Sequence, residues 1–144
     1  MKMNKSSQRG ISLLELLTAM LGIAVLASIL FSNFNIYVKK SKAKELDAVA
    51  YNARLHISDY YRLNGRLPSD NPNDVDLLPS DPVKFTESVS WEGEVLTIIA
   101  NAATLGLGEG RDLTIRYEPT MDTGTVGWTC TATGETQYAP AGCR

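Results

Sequence analysis

Proline is absent from the first 67 residues, and the 23 positions from Leu16 to Val38 hold no charged side chain. The first absence excludes a forced helix break before Pro68. The second excludes ordinary solvated surface, because a helix rising about 1.5 Å per residue over that length crosses a bilayer core of roughly 30 Å. Histidine occurs once, at His56, and no Cys-x-x-Cys pair is present. His56 has no plausible ligand partner near it in the sequence, which argues against a zinc-type site. No acid–Ser set surrounds it either, so no nucleophile and base are in view. The reading is a non-enzymatic protein that needs no cofactor and no metal. Internal repeats and low-complexity segments are also lacking, and 144 residues make one small domain with appendages.

The first ten residues hold Lys2, Lys5 and Arg9 and no acid. A basic stretch before an apolar one keeps its own end in the cytoplasm. A secretory signal cut near Ala24, Ala27 and Ser28 is one reading of this start. Against it, the apolar run continues well past that point, and Glu15 is out of place in a disposable hydrophobic core. Cys130 and Cys143 form an even pair at short spacing, which in an exported segment reads as a disulfide. From Ser41 onward nine Lys/Arg stand against fifteen Asp/Glu, a net charge of −6. That balance argues against unspecific phosphate binding and leaves room for a local patch at Arg111 and Arg116.

One long helix is expected from Ile11 to about Asn64. Its first half is apolar all round. Its second half is amphipathic through Leu46, Ala50, Ala53, Ile57 and Tyr60, with Glu45, Asp47, Asn52, Arg54 and Asp59 mostly on other faces. Asn64-Gly65 before Pro68 is a stop signal. Ser69 to Pro82 reads as a loop. Strands follow over Val83–Trp91, Glu94–Ala100, Asp112–Glu118 and Thr125–Thr131, with a hairpin turn at Glu92-Gly93. The expected architecture is α+β: about four antiparallel strands with one face on the amphipathic half-helix. Trp91 and Trp128 read as core or sheet-face residues.

The segment Gly10-Ile11-Ser12-Leu13-Leu14-Glu15 closely resembles the processing motif of type IV pilins. Tyr37 and Ser41 fall where such proteins often carry those residues. The resemblance implies that residues 1–10 are a leader removed by a prepilin peptidase that also N-methylates Ile11. It implies further that 11–40 is a membrane and filament-core helix and 41–144 a globular head. Glu15 would then serve assembly. An acid among apolar neighbours is costly and needs a partner. Cutting after Gly10 supplies one, the cationic α-amino group of Ile11 on an incoming subunit. The family usually has a proline near the position of Ser32 and a glycine two positions after Gly22. This departure leaves major or minor subunit open.

Trp128-x-Cys130, twelve residues, and Pro140-x-Gly142-Cys143 resemble the C-terminal disulfide loop of pseudomonad-type pilins, as ISDYYRLNGRLPSDN resembles their helix end. In such proteins the loop can contact receptors. That makes Thr131, Thr133, Glu135, Gln137 and Tyr138 a candidate contact surface, with Tyr138 the expected exposed aromatic. The alternative is a purely structural clasp. Asp70, Asn73, Asp74 and Asp76 invite comparison with a calcium loop but lack its glycine and distal glutamate. The resemblance implies an inner-membrane precursor that enters a surface filament through an assembly machinery, serving adhesion, twitching motility or DNA uptake. A secretion pseudopilin and a minor pilin that binds DNA or a receptor are the competing readings. Intact mass and N-terminal sequencing of surface material are expected to show a chain starting at methylated Ile11. A start at Met1 or after Ala27 would defeat the processing expectation.

Overall fold

The computed structural model describes residues 11–71, 73–79, 82–122 and 124–143, apart from the side chains of Ser32 and Asn33. In chain order the elements are α1 (Leu13–Asn64), β1 (Thr86–Glu92), β2 (Val95–Ala100), a one-turn α2 (Ala102–Leu105), β3 (Leu113–Asp122) and β4 (Thr125–Gly134). Two 3-10 turns, Thr136–Tyr138 and Ala141–Cys143, follow. The chain divides into two compact units with the boundary between Ile36 and Tyr37, four residues before the boundary that the resemblance implies.

Helix α1 spans 52 residues and runs unbroken through Ser32 and Asn33. It stops where expected. Gly65 takes a left-handed φ of 68°, and its N–H donates to the Tyr61 carbonyl at 2.8 Å. A β-carbon is disfavoured there, so glycine ends the helix with little strain.

In the second unit, Ala43, Leu46, Ala50, Ala53 and Ile57 are buried on α1. Their alternating three- and four-residue spacing gives one narrow stripe, and three of the five are alanine, so the helix carries little bulk toward its neighbours. The stripe packs in one cluster with Leu96, Ile98, Leu113, Ile115 and Tyr117 of the sheet. The sheet is an antiparallel meander in the order β1-β2-β3-β4. Register puts Leu96 opposite Tyr117 and Tyr117 opposite Cys130; Ile98, Ile115 and Ala132 form the next core-facing row. Thr97, Arg116 and Thr131 make the alternate row on the other face.

Three local features differ from the sequence expectation. The β1–β2 turn is at Gly93-Glu94, one position later than Glu92-Gly93, because Glu92 still pairs with Val95. Both turn residues have positive φ, 56° and 62°, the conformation that matches strand twist in a two-residue hairpin. Strand β3 continues past Glu118 to Asp122, through Pro119. Pairing with β2 ends at Tyr117, so the missing N–H of Pro119 is tolerated on what is there an edge. Helix α2 was not foreseen. Asn101 caps it by accepting from the Thr104 N–H at 3.1 Å, and it delivers Leu105 to the core.

Glu45 is the side chain the periodicity misplaced. It was assigned to a solvated face, yet it is half-buried and its carboxylate accepts the backbone N–H groups of Lys84, Phe85 and Thr86 at 2.7–3.2 Å. This ties the entry of β1 to the helix. A chain starting at Tyr37 is expected to fold as a soluble unit, since its stripe and sheet are both present. In that unit Glu45→Ala should lower stability by about 1–3 kcal/mol in denaturant melts, the cost of orphaning donors bonded to a charged group. A change under about 0.5 kcal/mol would remove the clamp's importance.

Candidate functional site

Two surfaces carry the site residues read from the sequence. The first is the helix up to Ile36. Its large apolar side chains are exposed, from Leu13 and Leu14 to Phe31 and Phe34. This part of α1 is long and apolar enough to cross a membrane, and none of its most apolar stretch is buried within the chain. So much contiguous apolar surface requires a cover, lipid or protein. Glu15 is the sole acid of the first helical turn and is exposed. Its own carbonyl accepts the Thr18 hydroxyl at 3.0 Å. A negative side chain there is favoured by the helix dipole. Ile11 is exposed and precedes the first helical residue, four positions before Glu15. Gly10 lies outside the described residues.

The second surface is the C-terminal loop. Cys130 and Cys143 are joined by a disulfide across 13 positions. Within it the exposed aromatic expected at Tyr138 is corrected: Tyr138 is only 8% exposed and belongs to the core cluster, with Ala139 and Cys143 beside it in burial. Its ring also carries the Lys39 ammonium, 5.7 Å from the centroid. The 3-10 turn at Thr136–Tyr138 rotates the tyrosine inward, a reversal that no alternation in the sequence announces. Thr131, Thr133 and Gln137 are exposed, and Glu135 is partly covered.

The loop is held at several points. The Glu135 N–H donates to the Asp112 carbonyl at 2.8 Å, and the Glu135 carboxylate meets Arg111 at 3.1 Å. Gly134, with φ of 82°, has the Asp112 carbonyl directly where a β-carbon would stand. Behind the loop, the Tyr117 hydroxyl donates to the Cys143 sulfur at 3.7 Å. Burial pushes the Tyr117 hydroxyl above its ordinary pKa, partly offset by Arg54, whose guanidinium lies 4.5 Å from the ring centroid. The phenol therefore keeps its proton and stays a donor. Burial likewise raises Asp47, against the pull of Arg54 and Lys44.

The acidic loop residues are spent on turns. Asp74 accepts from the Ser69 hydroxyl at 2.6 Å and from its N–H at 3.1 Å, bonds that hold its carboxyl below the usual range. Asp70 accepts the Gly93 N–H at 2.9 Å and Asp76 the Leu78 N–H at 3.3 Å. Nδ1 of His56 pairs with the Asp76 carbonyl. Trp91 donates from Nε1 to the Pro68 carbonyl at 3.1 Å and meets Trp128 edge-on at 6.3 Å, so both indoles are structural as expected. Arg111 is paired, and Arg116 is exposed on the outer sheet face. Glu45, Arg54 and Lys39 escaped sequence reasoning, since each acts through a partner from 39 to 99 positions away.

Comparison with known proteins bears on both surfaces. Residues 40–144 match the family described as pilin, a bacterial filament protein. The chain is 28% identical to the fimbrial protein EcpC of Eikenella corrodens over 145 positions, covering 99% of this chain and 94% of that one. It is 25% identical over 126 positions to the type IV major pilin protein PilE1 of Neisseria gonorrhoeae, covering 85% of this chain and 69% of that one.

Replacing Cys130 and Cys143 together by serine should lower stability by about 3 kcal/mol, the entropy released by opening a loop of this size. Tyr138→Ala should cost about 2–4 kcal/mol as a core truncation, while Gln137→Ala should stay within about 0.5 kcal/mol. Thermal or denaturant melts check all three, and a neutral Tyr138→Ala would return that ring to the surface.

Proposed function

The chain belongs to the pilin family, and from that premise we propose that it is the structural subunit of a type IV pilus, matured by cleavage after Gly10. Pilins are structural subunits of a surface filament and not enzymes. In this reading the peptidase exposes the Ile11 amine and methylates it. The apolar helix anchors the precursor in the inner membrane, head outward, until the assembly machinery extracts it. It then bundles with the helices of other copies.

The observation that carries the reading is the apolar helix up to Ile36, its large apolar side chains exposed, with one acid in its first turn. Lipid and neighbouring helices each satisfy that apolar surface. Within one chain the Ile11 amine would lie about one helical turn from Glu15, and in a bundle the amine of a second chain can meet it. Inside a bundle an unpaired carboxylate is costly, so pairing with the Ile11 amine of a neighbour selects one register. At the surface, Thr131, Thr133, Gln137 and the edge of Glu135 form the proposed contact area for a receptor. Adhesion and twitching motility are the uses this favours. DNA uptake through the head is less favoured by the net charge of −6 beyond Lys40.

Glu15→Ala should leave the protein stable in the inner membrane and reduce sheared surface filament by at least about tenfold, a loss of at least one pairing-sized increment in assembly. Quantitative blotting of membrane and sheared fractions, with the variant as sole subunit, reads both. Normal piliation would falsify the assigned role.

A further inference from the structure

Strand β1 is an end strand of the meander, paired with β2 on one side only. The two-residue turn makes Glu92 and Val95 a pair that exchanges both backbone hydrogen bonds. Alternation then turns the Ser90 backbone groups toward β2 and the N–H and C=O of Val89 and Trp91 away from it. Among the described residues no hydrogen bond reaches those outward backbone groups.

Beside this open edge the loop after α1 leaves two hollows. One, of about 220 Å3, is lined by Pro68, Val75, Leu77, Val89 and Trp91, with Asp70 and Glu92 among its polar residues. The other, of about 320 Å3, shares Val75, Leu77 and Val89 and adds Leu78 and Asp76. Both are at or below the lower end of the roughly 300–1,000 Å3 typical of small-molecule sites, a size that suits single side chains. No lysine or arginine lines either hollow. Glu87 and Glu92 are exposed at the two ends of the edge. Of the cations in the adjoining chain, Arg66 lies over the Tyr60 ring at 5.9 Å, and Lys84 precedes the bulge between Thr86 and Ser88. His56 pairs through Nδ1 with the Asp76 carbonyl.

We infer that the open edge of β1 binds a basic, extended segment of another protein by strand addition. The main chain of that segment pairs with Val89 and Trp91, and its alternate apolar side chains enter the two hollows. A lysine or arginine at each of its ends meets Glu87 and Glu92. An exposed edge is ordinarily a hazard, and charges along it are one way to blunt it. The same two glutamates make this edge selective, since a strand with acidic ends is repelled and one with basic ends is attracted. The other end strand, β4, carries no charge from Thr125 to Gly134 and has nothing with which to choose a basic partner. A small organic cation is the weaker occupant, because it engages the acids and leaves the strand edge without a role. The surface is separate from residues 131–137 and goes beyond the filament reading, since it needs the second unit alone.

The probe is a short synthetic peptide of alternating valine and threonine with a lysine at each end. Labelled with a fluorophore, it is titrated by anisotropy into the full chain held in detergent micelles. Methylating one alternate set of its amide nitrogens should weaken binding by at least about tenfold, and methylating the other set should change it by less than about threefold, because one set alone faces β1. Hydrogen exchange should show the Val89 and Trp91 amides protected by the bound peptide. Glu87→Lys/Glu92→Lys should weaken the lysine-ended peptide by at least about tenfold and should bind a glutamate-ended peptide in its place. The methylation pair needs the wild-type chain alone, so it decides the question even where the double variant fails to fold. Equal effects of the two methylated sets, protection at Thr125–Gly134 in place of β1, or no binding overturns the inference. So does displacement of the peptide by an equal concentration of a simple alkyl diamine, which identifies a small cation as the occupant. Binding to the micelle-held chain that is lost in sheared filaments identifies another copy as the occupant and overturns it as well.

Discussion

The second unit depends on one narrow stripe of α1. Ala43, Leu46, Ala50, Ala53 and Ile57 share a buried cluster with side chains of β1, β2 and β3, and Trp128, Cys130 and Ala132 of β4 pack against it. Fully burying a Leu or Ile stabilises by about 1.5–3 kcal/mol. Among the described residues of the unit, neither the helix segment nor the meander has another apolar partner of comparable size. The alanines matter as much as the larger residues, because a bulky side chain at Ala50 or Ala53 would push the sheet away from Leu46 and Ile57.

Two clasps hold the sheet to that stripe from opposite sides. At the β1 edge, Glu45 gathers three backbone N–H groups and so ends the long loop at a defined residue. At the β4 edge, the disulfide and Tyr138 draw the chain end into the core, where Tyr117 and Arg54 link strand to helix. The first clasp is polar and its acceptor is charged. The second is covalent and apolar. Between them they anchor segments that have little regular hydrogen bonding of their own, and they leave Thr131, Thr133 and Gln137 outside as accessible side chains.

The helix up to Ile36 follows a different rule. It has no buried apolar side chain within the chain, so its stability in place comes from lipid or from other copies. The same chain thus combines a segment that is complete by itself with one that is completed by its surroundings. A lone carboxylate, Glu15, stands in the first turn of that segment.

Much of this was legible from residues alone, for physical reasons that operate over short distances. A 52-residue helix, its stop at Gly65, its core stripe and the alternation of β3 and β4 follow from periodicities of 3.6 and 2 and from the freedom of glycine. The exposed apolar helix with Glu15 at its start was equally readable, since neither feature needs a distant partner within the chain. Tertiary structure decided the rest. Tyr138 turned inward to join the core cluster, with the Lys39 ammonium over its ring. Glu45 left the solvated face because strand entry offers three donors. Pro119 stayed in a strand because β2 begins at Val95 and its pairing with β3 goes no further than Leu96 and Tyr117, which leaves that side of Pro119 an edge. Each of those outcomes depends on groups brought together by folding, whose identity no local window of sequence contains.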